Sequence, residues 1–350
     1  MRALTVNTGS TSVKLALWED GARVRDARLD LPTDARARLA ELCADGPPEA
    51  VAHRVVHGGT RSAPVAIDDA VLEEVRALIP LAPNHNPRAV EWIEACRAAF
   101  PAARQLAAFD TAFFAALPEV ARTYALPREL AAKHGLRRYG FHGLAHHSMW
   151  SAWVAKTGRV DARVVTLQLG GGCSAAAVRA GAPLETSMGL TPLEGLVMAT
   201  RAGDVDPGLL MHLMREEKLS PDALEALLAK RSGLLGVSGR SGDLRELAKA
   251  DDPAVRLALD VFVHRVRKYI GAYAVVLGGL DGVVMGGGVS EHWPDVRARV
   301  LSDLEWLGLT IDADANRSAR ATTAPIHATG SRVEAWVAAI DEERELLAAL

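Results

Sequence analysis

Cysteine and aromatic residues are scarce in this chain. Three cysteines, Cys43, Cys96 and Cys173, stand far apart among 350 residues and in no metal-ligand spacing, which argues against a cysteine-held metal and fits a reducing compartment. Charge of one sign is also lacking. The net charge is −3, with no block of basic residues, so there is no electrostatic footprint for nucleic acid. The longest apolar stretch, residues 270–288, is broken by glycines and by Asp281, which excludes a membrane-spanning helix there. The amino terminus opens on Arg2-Ala3-Leu4-Thr5-Val6, a strand-like run with neither the apolar core nor the cleavage site of a secretory leader. These absences predict a cytoplasmic protein that acts on small molecules, with neither nucleic acid nor membrane as partner. The length allows two domains, each able to bury its own core.

Glycine, by contrast, is placed with purpose. Three glycine- and hydroxyl-rich turns each follow an apolar run: Asn7-Thr8-Gly9-Ser10-Thr11-Ser12, Gln168-Leu169-Gly170-Gly171-Gly172-Cys173-Ser174 and Met285-Gly286-Gly287-Gly288-Val289-Ser290. Without a Cβ the backbone comes close to a ligand, and successive N–H groups can converge on an anion. The pattern is that of a nucleotide-phosphate cradle in three pieces. Alternation predicts strands at 3–7, 13–18 and 22–29, and again at 164–169 and 175–179. Superposing Asn7-Thr8-Gly9-Ser10 on Gly170-Gly171-Gly172-Cys173 aligns two strand–turn–strand units and predicts an internal duplication, with two related lobes facing one cleft. Helices are predicted at 35–43, 68–79, 87–99, 127–134, 206–215, 221–230, 253–277 and 333–349. The expected division is an amino-terminal lobe of residues 1–148, on which the helix 333–350 packs back, and a nucleotide-binding and dimerisation lobe of residues 149–332.

The commoner nucleotide motifs do not account for these turns. No GxxxxGK[ST] string occurs, which argues against a P-loop. Gly170-x-Gly172-x-x-Ala175 satisfies a dinucleotide fingerprint, but Gly181-Ala182-Pro183 ends the segment before a crossover helix completes. His142 and His146 have the i, i+4 spacing of zinc ligands, without the glutamate or cysteines that would complete a site.

Longer strings are more specific. His53-Arg54-Val55-Val56-His57-Gly58-Gly59, Leu81-Ala82-Pro83-Asn84-His85-Asn86-Pro87, Phe109-Asp110-Thr111-Ala112-Phe113 and Arg138-Tyr139-Gly140-Phe141-His142-Gly143 follow in that order. Thr186 to Gly195, Thr200 to Pro207, Ser232 to Gly239 and Ser241 to Arg245 continue the series. The chain resembles the acetate kinase family from residue 4 to about 292, as a shortened and divergent member. The resemblance implies an α/β fold of the actin, Hsp70 and sugar kinase type (ribonuclease H-like), with duplicated mixed sheets flanked by helices. It also implies a homodimer, and transfer of the γ-phosphoryl of ATP to a short carboxylate with Mg2+, giving an acyl phosphate.

Phosphoryl transfer asks a protein mainly to position two anions and neutralise charge on the moving group. Arg54 and Arg201 match the family's site arginines, whose guanidinium forks can grip a carboxylate or phosphoryl oxygens bidentately. Each would otherwise be an arginine paired with a surface carboxylate. His142 matches the family's transition-state stabilising histidine and His85 a second site histidine; a histidine bonded in a turn is the structural alternative for both. Asp110 matches the catalytic aspartate, holding an arginine and the metal shell in place, or else capping a helix. It is not needed as a base, because the acceptor carboxylate is already ionised near pH 7. Asn7 matches a residue near magnesium. Ser10, Ser12 and Lys14 match the phosphate side, together with Gln168, Gly170, Gly171 and Gly172. Asp243, Leu244 and Arg245, with Gly287, Gly288, Val289, Ser290 and Glu291, match the nucleoside-holding stretches. Val56, Phe141 and Pro192 match the apolar wall around the substrate's alkyl group, though each could equally be core.

Four departures stand out. Gln168 replaces the family's histidine at the head of the second turn, and Gly171 its asparagine. Asn84 replaces the leucine before the site histidine; as a buried amide without partners it would cost about 1–3 kcal/mol, which predicts a substrate carrying a polar substituent. The family's carboxyl-terminal Thr-Asn-Glu-Glu string finds its nearest match in Thr329-Gly330-Ser331-Arg332, so its metal-binding glutamate is expected to be missing. Either Arg332 or a shifted Glu334 would then take its place. Against the family pattern, Gln168 and the missing glutamate leave one alternative to a kinase of altered specificity, a degenerate nucleotide-binding homologue with a regulatory role. Leu244 in place of an aromatic near the nucleoside and Ser290 in place of a glycine leave another, a kinase using a donor such as pyrophosphate.

Overall fold

The computed structural model describes every residue except Ser10 and Thr11, so the expectation for Ser10 lies outside the described residues. The chain divides into two compact units interleaved in sequence. The first comprises Met1–Ala116, Phe141–Ser148 and Asp341–Leu350, and the second Leu117–Gly140 and Met149–Ile340. Each is built on one six-stranded mixed sheet. The first sheet uses β1 (Arg2–Thr8), β2 (Ser12–Glu19), β3 (Ala22–Asp30), β4 (Ala50–Val55), β5 (Val65–Ala66) and β6 (Arg104–Phe109). The second uses β7 (Arg163–Leu169), β8 (Cys173–Arg179), β9 (Ala182–Thr186), β10 (Gly282–Gly286), β11 (Ala324–Pro325) and β12 (Glu334–Val337).

The two sheets share one topology. The first runs β3-β2-β1-β4-β6-β5, and the second, read from its other end, β9-β8-β7-β10-β12-β11. Strand directions agree pair by pair: an antiparallel meander, two parallel neighbours and an antiparallel edge. Even the register shift recurs, between Leu17 and Trp18 in β2 and between Ala177 and Val178 in β8.

These ladders correct the superposition made from glycines. The last pair before the turn is Thr8–Val13 in one sheet and Leu169–Cys173 in the other, so Asn7 corresponds to Gln168 rather than to Gly170. The first turn is longer, and matching glycines ignores strand register. Carried across the parallel neighbours, Val6 pairs with His53 and Leu167 with Met285, then His53 with Ala107 and Met285 with Val337. Arg54 therefore corresponds to Gly286, and Asp110 to Ile340.

Alternation explains what each face of the first sheet does. Leu4 and Val6, Val13, Leu15 and Leu17, and Val51 pack with Leu39, Trp92 and Cys96 from the helices Ala35–Leu42 and Asn86–Ala99. The intervening residues face the other way. Ala3 and Ala16 meet Leu347, while Ala52 and Ala108 pack with the fully buried Leu346. Leu346 and Leu347 belong to the terminal helix Glu342–Ala348. Alanines on four strands let that helix lie close to the sheet.

Two of the differences from the sequence reading involve long helices. Residues predicted as one helix from 333 to 349 divide into β12 and the shorter helix Glu342–Ala348; Ala335 and Val337 are fully buried as strand residues. The 15-residue helix Gly143–Thr157 was not predicted. Its apolar residues Leu144, Ala145, Met149, Trp150, Ala152, Trp153, Val154 and Ala155 occur all round the helix, so no single stripe stands out for periodicity to detect.

Candidate active site

In the first unit, the face that carries Ala3, Ala16, Ala52 and Ala108 turns polar at the carboxyl ends of the parallel strands. Two residues beyond the alanine on β4 and β6, four beyond it on β1 and two before it on antiparallel β2, alternation reaches a functional group. Thr5 leads to Asn7, Ala16 back to Lys14, Ala52 to Arg54 and Ala108 to Asp110. Asn7 and Lys14 are paired in the β1–β2 ladder, and Arg54 lies opposite Ala108 in the β4–β6 ladder.

These side chains form one network. Arg54 donates through Nε to Asp110 Oδ1 at 2.9 Å and through Nη2 to Oδ2 at 2.7 Å. Its Nη1 donates to Asn7 Oδ1 at 3.0 Å and to Glu342 Oε2 at 3.2 Å. Asn7 Nδ2 donates in turn to Glu342 Oε2 at 2.8 Å and Glu343 Oε1 at 2.9 Å, and Lys14 Nζ lies 3.6 Å from Glu343 Oε1.

Glu342 and Glu343 correct the expectation of a missing carboxyl-terminal glutamate. They open the terminal helix, where acidic groups suit the positive end of the helix dipole, and Asp341 caps it by accepting from the Arg344 N–H at 3.0 Å. The sequence signal was Asp341-Glu342-Glu343 ahead of an apolar Leu346-Leu347 pair. The alternatives lie elsewhere: Glu334 is bonded to Trp153, Trp336 and Arg159, and Arg332 to the Leu307 carbonyl.

Burial sets the electrostatics here. It pushes the Asp110 carboxyl up, against the pull of Arg54. For Glu342 burial is also the largest influence, but Arg54, the Asn7 amide and Lys14 together outweigh it and hold the carboxyl below its ordinary range. Desolvation disfavours the Arg54 cation, yet Asp110 and Glu342 outweigh that too and raise its pKa.

His142 stands beside this network with φ +60°, an uncommon left-handed conformation for a non-glycine residue. Neighbouring groups hold it there. Its main-chain N–H bonds the Asp110 carboxylate, and the Gly143 N–H donates to the Asp110 carbonyl at 3.0 Å. A Cβ at Gly143 would collide with that same carbonyl oxygen, so this turn requires glycine.

Val56 and Phe141 are buried, and the Phe141 ring meets His57 edge-on at 5.4 Å. His85 precedes the helix Asn86–Ala99. Asn84 is exposed, which removes the premise of a buried, unpartnered amide. The buried amide of this string is Asn86, which accepts the His57 N–H at 3.1 Å and donates to the His57 and Val75 carbonyls at 3.1 and 3.2 Å. Ser12 opens β2.

In the second unit, the turn Gly170-Gly171-Gly172 follows β7, and the helix Gly287–His292 follows its parallel neighbour β10. Gly170 N–H donates to the Gly172 carbonyl at 3.1 Å and the Gly171 carbonyl accepts from Ala199 N–H at 3.2 Å. Gly287 has φ +85°, and a Cβ there would press on the Leu169 carbonyl and Gln168 Oε1, so the helix start sits directly against the turn. Gly287 N–H donates to Glu291 Oε1 at 3.1 Å. Gly288 is exposed and Val289 half-buried. Gln168 Oε1 and Ser290 Oγ are buried without a hydrogen-bond partner among the described residues.

Arg201 donates to the Pro192 carbonyl at 3.1 Å and faces Met198 Sδ at 3.7 Å. Among the described residues it has no carboxylate partner, and burial lowers its pKa. Asp243 caps the short helix Leu244–Leu247 and pairs with Arg245, while Leu244 is buried. No group of three or more His, Cys, Asp or Glu able to hold a metal ion occurs among the described residues.

Residues 45–348 match the acetokinase family. The chain belongs to that family. It is 46% identical over 349 residues to an acetate kinase of Clavibacter michiganensis subsp. michiganensis, covering 97% of this chain and 88% of that one. The crystal structure of Porphyromonas gingivalis acetate kinase superposes with a TM-score of 0.90 at 36% identity, and that of a propionate kinase from Francisella tularensis subsp. tularensis with 0.91 at 33%. Each alignment covers 99% of this chain and 98% of the other. This family member therefore has the duplicated α/β fold of actin, Hsp70 and sugar kinases that the resemblance implied. The family is one of phosphotransferases with a carboxyl group as acceptor. No helix of the described residues is long and apolar enough to cross a membrane.

Proposed function

We propose that this protein transfers the γ-phosphoryl of ATP to a short-chain carboxylate, reversibly. An oxygen of the acceptor carboxylate attacks the γ-phosphorus, the bond to the β,γ-bridging oxygen breaks, and ADP and an acyl phosphate result. The observation that carries this reading is the state of Arg201. A half-buried guanidinium with no carboxylate partner among the described residues is suited to an incoming anion, and its donors can meet charge that develops on a phosphoryl group. Arg54 binds the acceptor carboxylate or the equatorial oxygens, with Asp110 fixing the plane of its fork. Asp110 needs to remove no proton, since the acceptor is already an anion. His142, locked by its backbone, donates to the phosphoryl charge, and His85 assists on the substrate side. Val56, Phe141 and Pro192 supply the apolar wall.

In the second unit, Gln168 and Gly170 to Gly172 receive phosphates, with Gly287 to Glu291 and Asp243 to Arg245 on the nucleoside side. In the first unit, Ser12 and Lys14 are the residues assigned to phosphate. The donor set of Asn7, Asp110 and Glu342 is all hard oxygen, which suits Mg2+, an ion that keeps several waters and takes one or two carboxylates alongside phosphate. Asn7 and Glu342 would hold it. When bound, the ion neutralises phosphate charge.

The test is incubation with Mg2+, ATP and a panel of carboxylates, trapping acyl phosphate as the hydroxamate. Product is expected with acetate-like acids and at least about 100-fold less with Arg201→Ala. Nucleotide binding without hydroxamate from any acid would overturn the reading. Pyrophosphate is included as a donor in the same assay; turnover with pyrophosphate alone would identify the second reading. The regulatory alternative loses one of its two grounds now that Glu342 stands beside Asn7.

A further inference from the structure

The loop from Ser187 to Asp204 carries both Pro192 and Arg201, and two carboxylates fasten it, each held by a tyrosine and an arginine. At the first, Glu194 accepts from the Tyr124 hydroxyl at 2.6 Å on Oε2 and from Arg138 Nη2 at 2.6 Å on Oε1. The Tyr124 oxygen also accepts the Leu190 N–H at 2.9 Å, and Arg138 Nη1 reaches the Ser187 carbonyl at 3.4 Å. A Cβ at Gly189 would collide with Glu194 and Tyr124, so glycine there is part of the arrangement. At the second, Asp204 accepts from the Tyr269 hydroxyl at 2.8 Å on Oδ2 and from the Gly195 N–H at 2.8 Å on Oδ1. Arg265 Nη1 lies 3.3 Å from Asp204 Oδ2 and donates to the Asp204 carbonyl at 3.2 Å and the Gly195 carbonyl at 3.3 Å.

Loops without such ties open locally at little cost. This one has its backbone pinned at Ser187, Leu190, Gly195 and Asp204, on both sides of Pro192 and Arg201. The Arg201 guanidinium takes its place from that backbone, since its own hydrogen bonds among the described residues go to the Pro192 carbonyl and Met198 Sδ.

We infer that Glu194 and Asp204, with Tyr124, Arg138, Tyr269 and Arg265, are positioning residues that set Arg201 and Pro192 for the reaction. The inference rests on the reading of Arg201 as the phosphoryl-binding cation. Because a displacement near 1 Å at a reacting group costs up to about 100-fold, loosening either clamp lowers turnover while leaving nucleotide binding in place.

The experiment uses Tyr124→Phe and Tyr269→Phe, each of which deletes one hydroxyl and no packing, in the full chain with ATP and acetate. The expected result is a kcat lowered about 10- to 100-fold, with ADP affinity by calorimetry within about twofold. Glu194→Gln, which keeps the shape and one acceptor oxygen, for either the Tyr124 hydroxyl or Arg138, is expected to stay above Glu194→Ala. Turnover unchanged in both tyrosine variants would overturn the inference. So would parallel losses of kcat, ADP affinity and melting temperature, which mark a merely structural role. Arg201→Ala run alongside separates the two claims: full activity there refutes the proposed function, whereas an inactive Arg201→Ala with fully active tyrosine variants refutes the clamps alone.

Discussion

Arg54 holds Asp110 by both arms of its fork, at 2.9 and 2.7 Å, and the third nitrogen is left for Asn7 and Glu342. The pair is out of water, with Asp110 fully buried. Asp110→Asn keeps the shape and removes the charge, leaving a buried guanidinium short of one anion. The expected outcome is a stability loss of about 3–5 kcal/mol, read by denaturant unfolding, and hydroxamate formation lowered at least about 100-fold. Arg54→Lys should behave similarly, because one ammonium cannot replace a fork.

Glu342 is expected to govern the metal requirement. Glu342→Gln should raise the Mg2+ concentration needed for half-maximal activity by about tenfold, and Glu343→Gln by less, since Glu343 contacts Asn7 and Lys14 but not Arg54. Glu334→Gln should leave the Mg2+ titration unmoved. An equal response of residues 334 and 342 would refute this assignment.

The terminal helix owes its place to Leu346, fully buried between Ala52 and Ala108. Leu346→Ala should cost about 2–5 kcal/mol. Because the same helix opens on Glu342, activity should also fall in the fraction that remains folded. Urea unfolding and activity per folded molecule distinguish the two effects.

His53 carries a pH prediction. Its ring is fully buried, bonded to Gln105 Oε1 at 2.7 Å, and burial brings its pKa from 6.5 down to about 4. The folded state therefore favours the neutral ring while the unfolded chain binds the proton more readily. This contribution is fully present above pH 6.5 and lost as the pH falls toward 4, a change of up to about 3 kcal/mol. His147 has the opposite sign: the hydrogen bond to Glu345 raises its pKa, so its contribution is present below pH 6.5 and fades as the pH rises past the raised value. Urea midpoints from pH 4 to 8, compared with His53→Gln, should show the first slope flattened and the second retained.

Asn84→Leu is expected to leave the ranking of plain against hydroxy- and amino-substituted carboxylates unchanged, because the amide is exposed. Asn86→Leu, which leaves the His57 N–H and two carbonyls without their partner, should instead cost about 1–3 kcal/mol per unsatisfied group. Thermal unfolding and a substrate panel check the two variants.

The chain sequence announced much of this and hid the rest for identifiable reasons. Asn7, Lys14, Arg54 and Asp110 were legible because long motifs carried them and strand alternation put them on one face. Glu342 was not, because the tail is shortened and the match was anchored on Thr329 to Arg332, ahead of a strand that read as helix. Asn84 and Asn86 show the limit of one-dimensional reading: two amides two residues apart, one in water and the other bonded to three backbone groups. The duplication was visible in its glycines, but its register appeared only when hydrogen-bond ladders could be compared.

That register has a consequence for the ancestry of the two halves. Where one copy places Arg54 beside Asp110, the other places Gly286 beside Ile340, and a Cβ on Gly286 would lie only 2.7 Å from Ile340 and 2.9 Å from Met149. The room for a guanidinium has been filled with hydrocarbon. Specialisation of the repeats has thus become one-way: no single replacement at residue 286 could return the second half to the chemistry of the first.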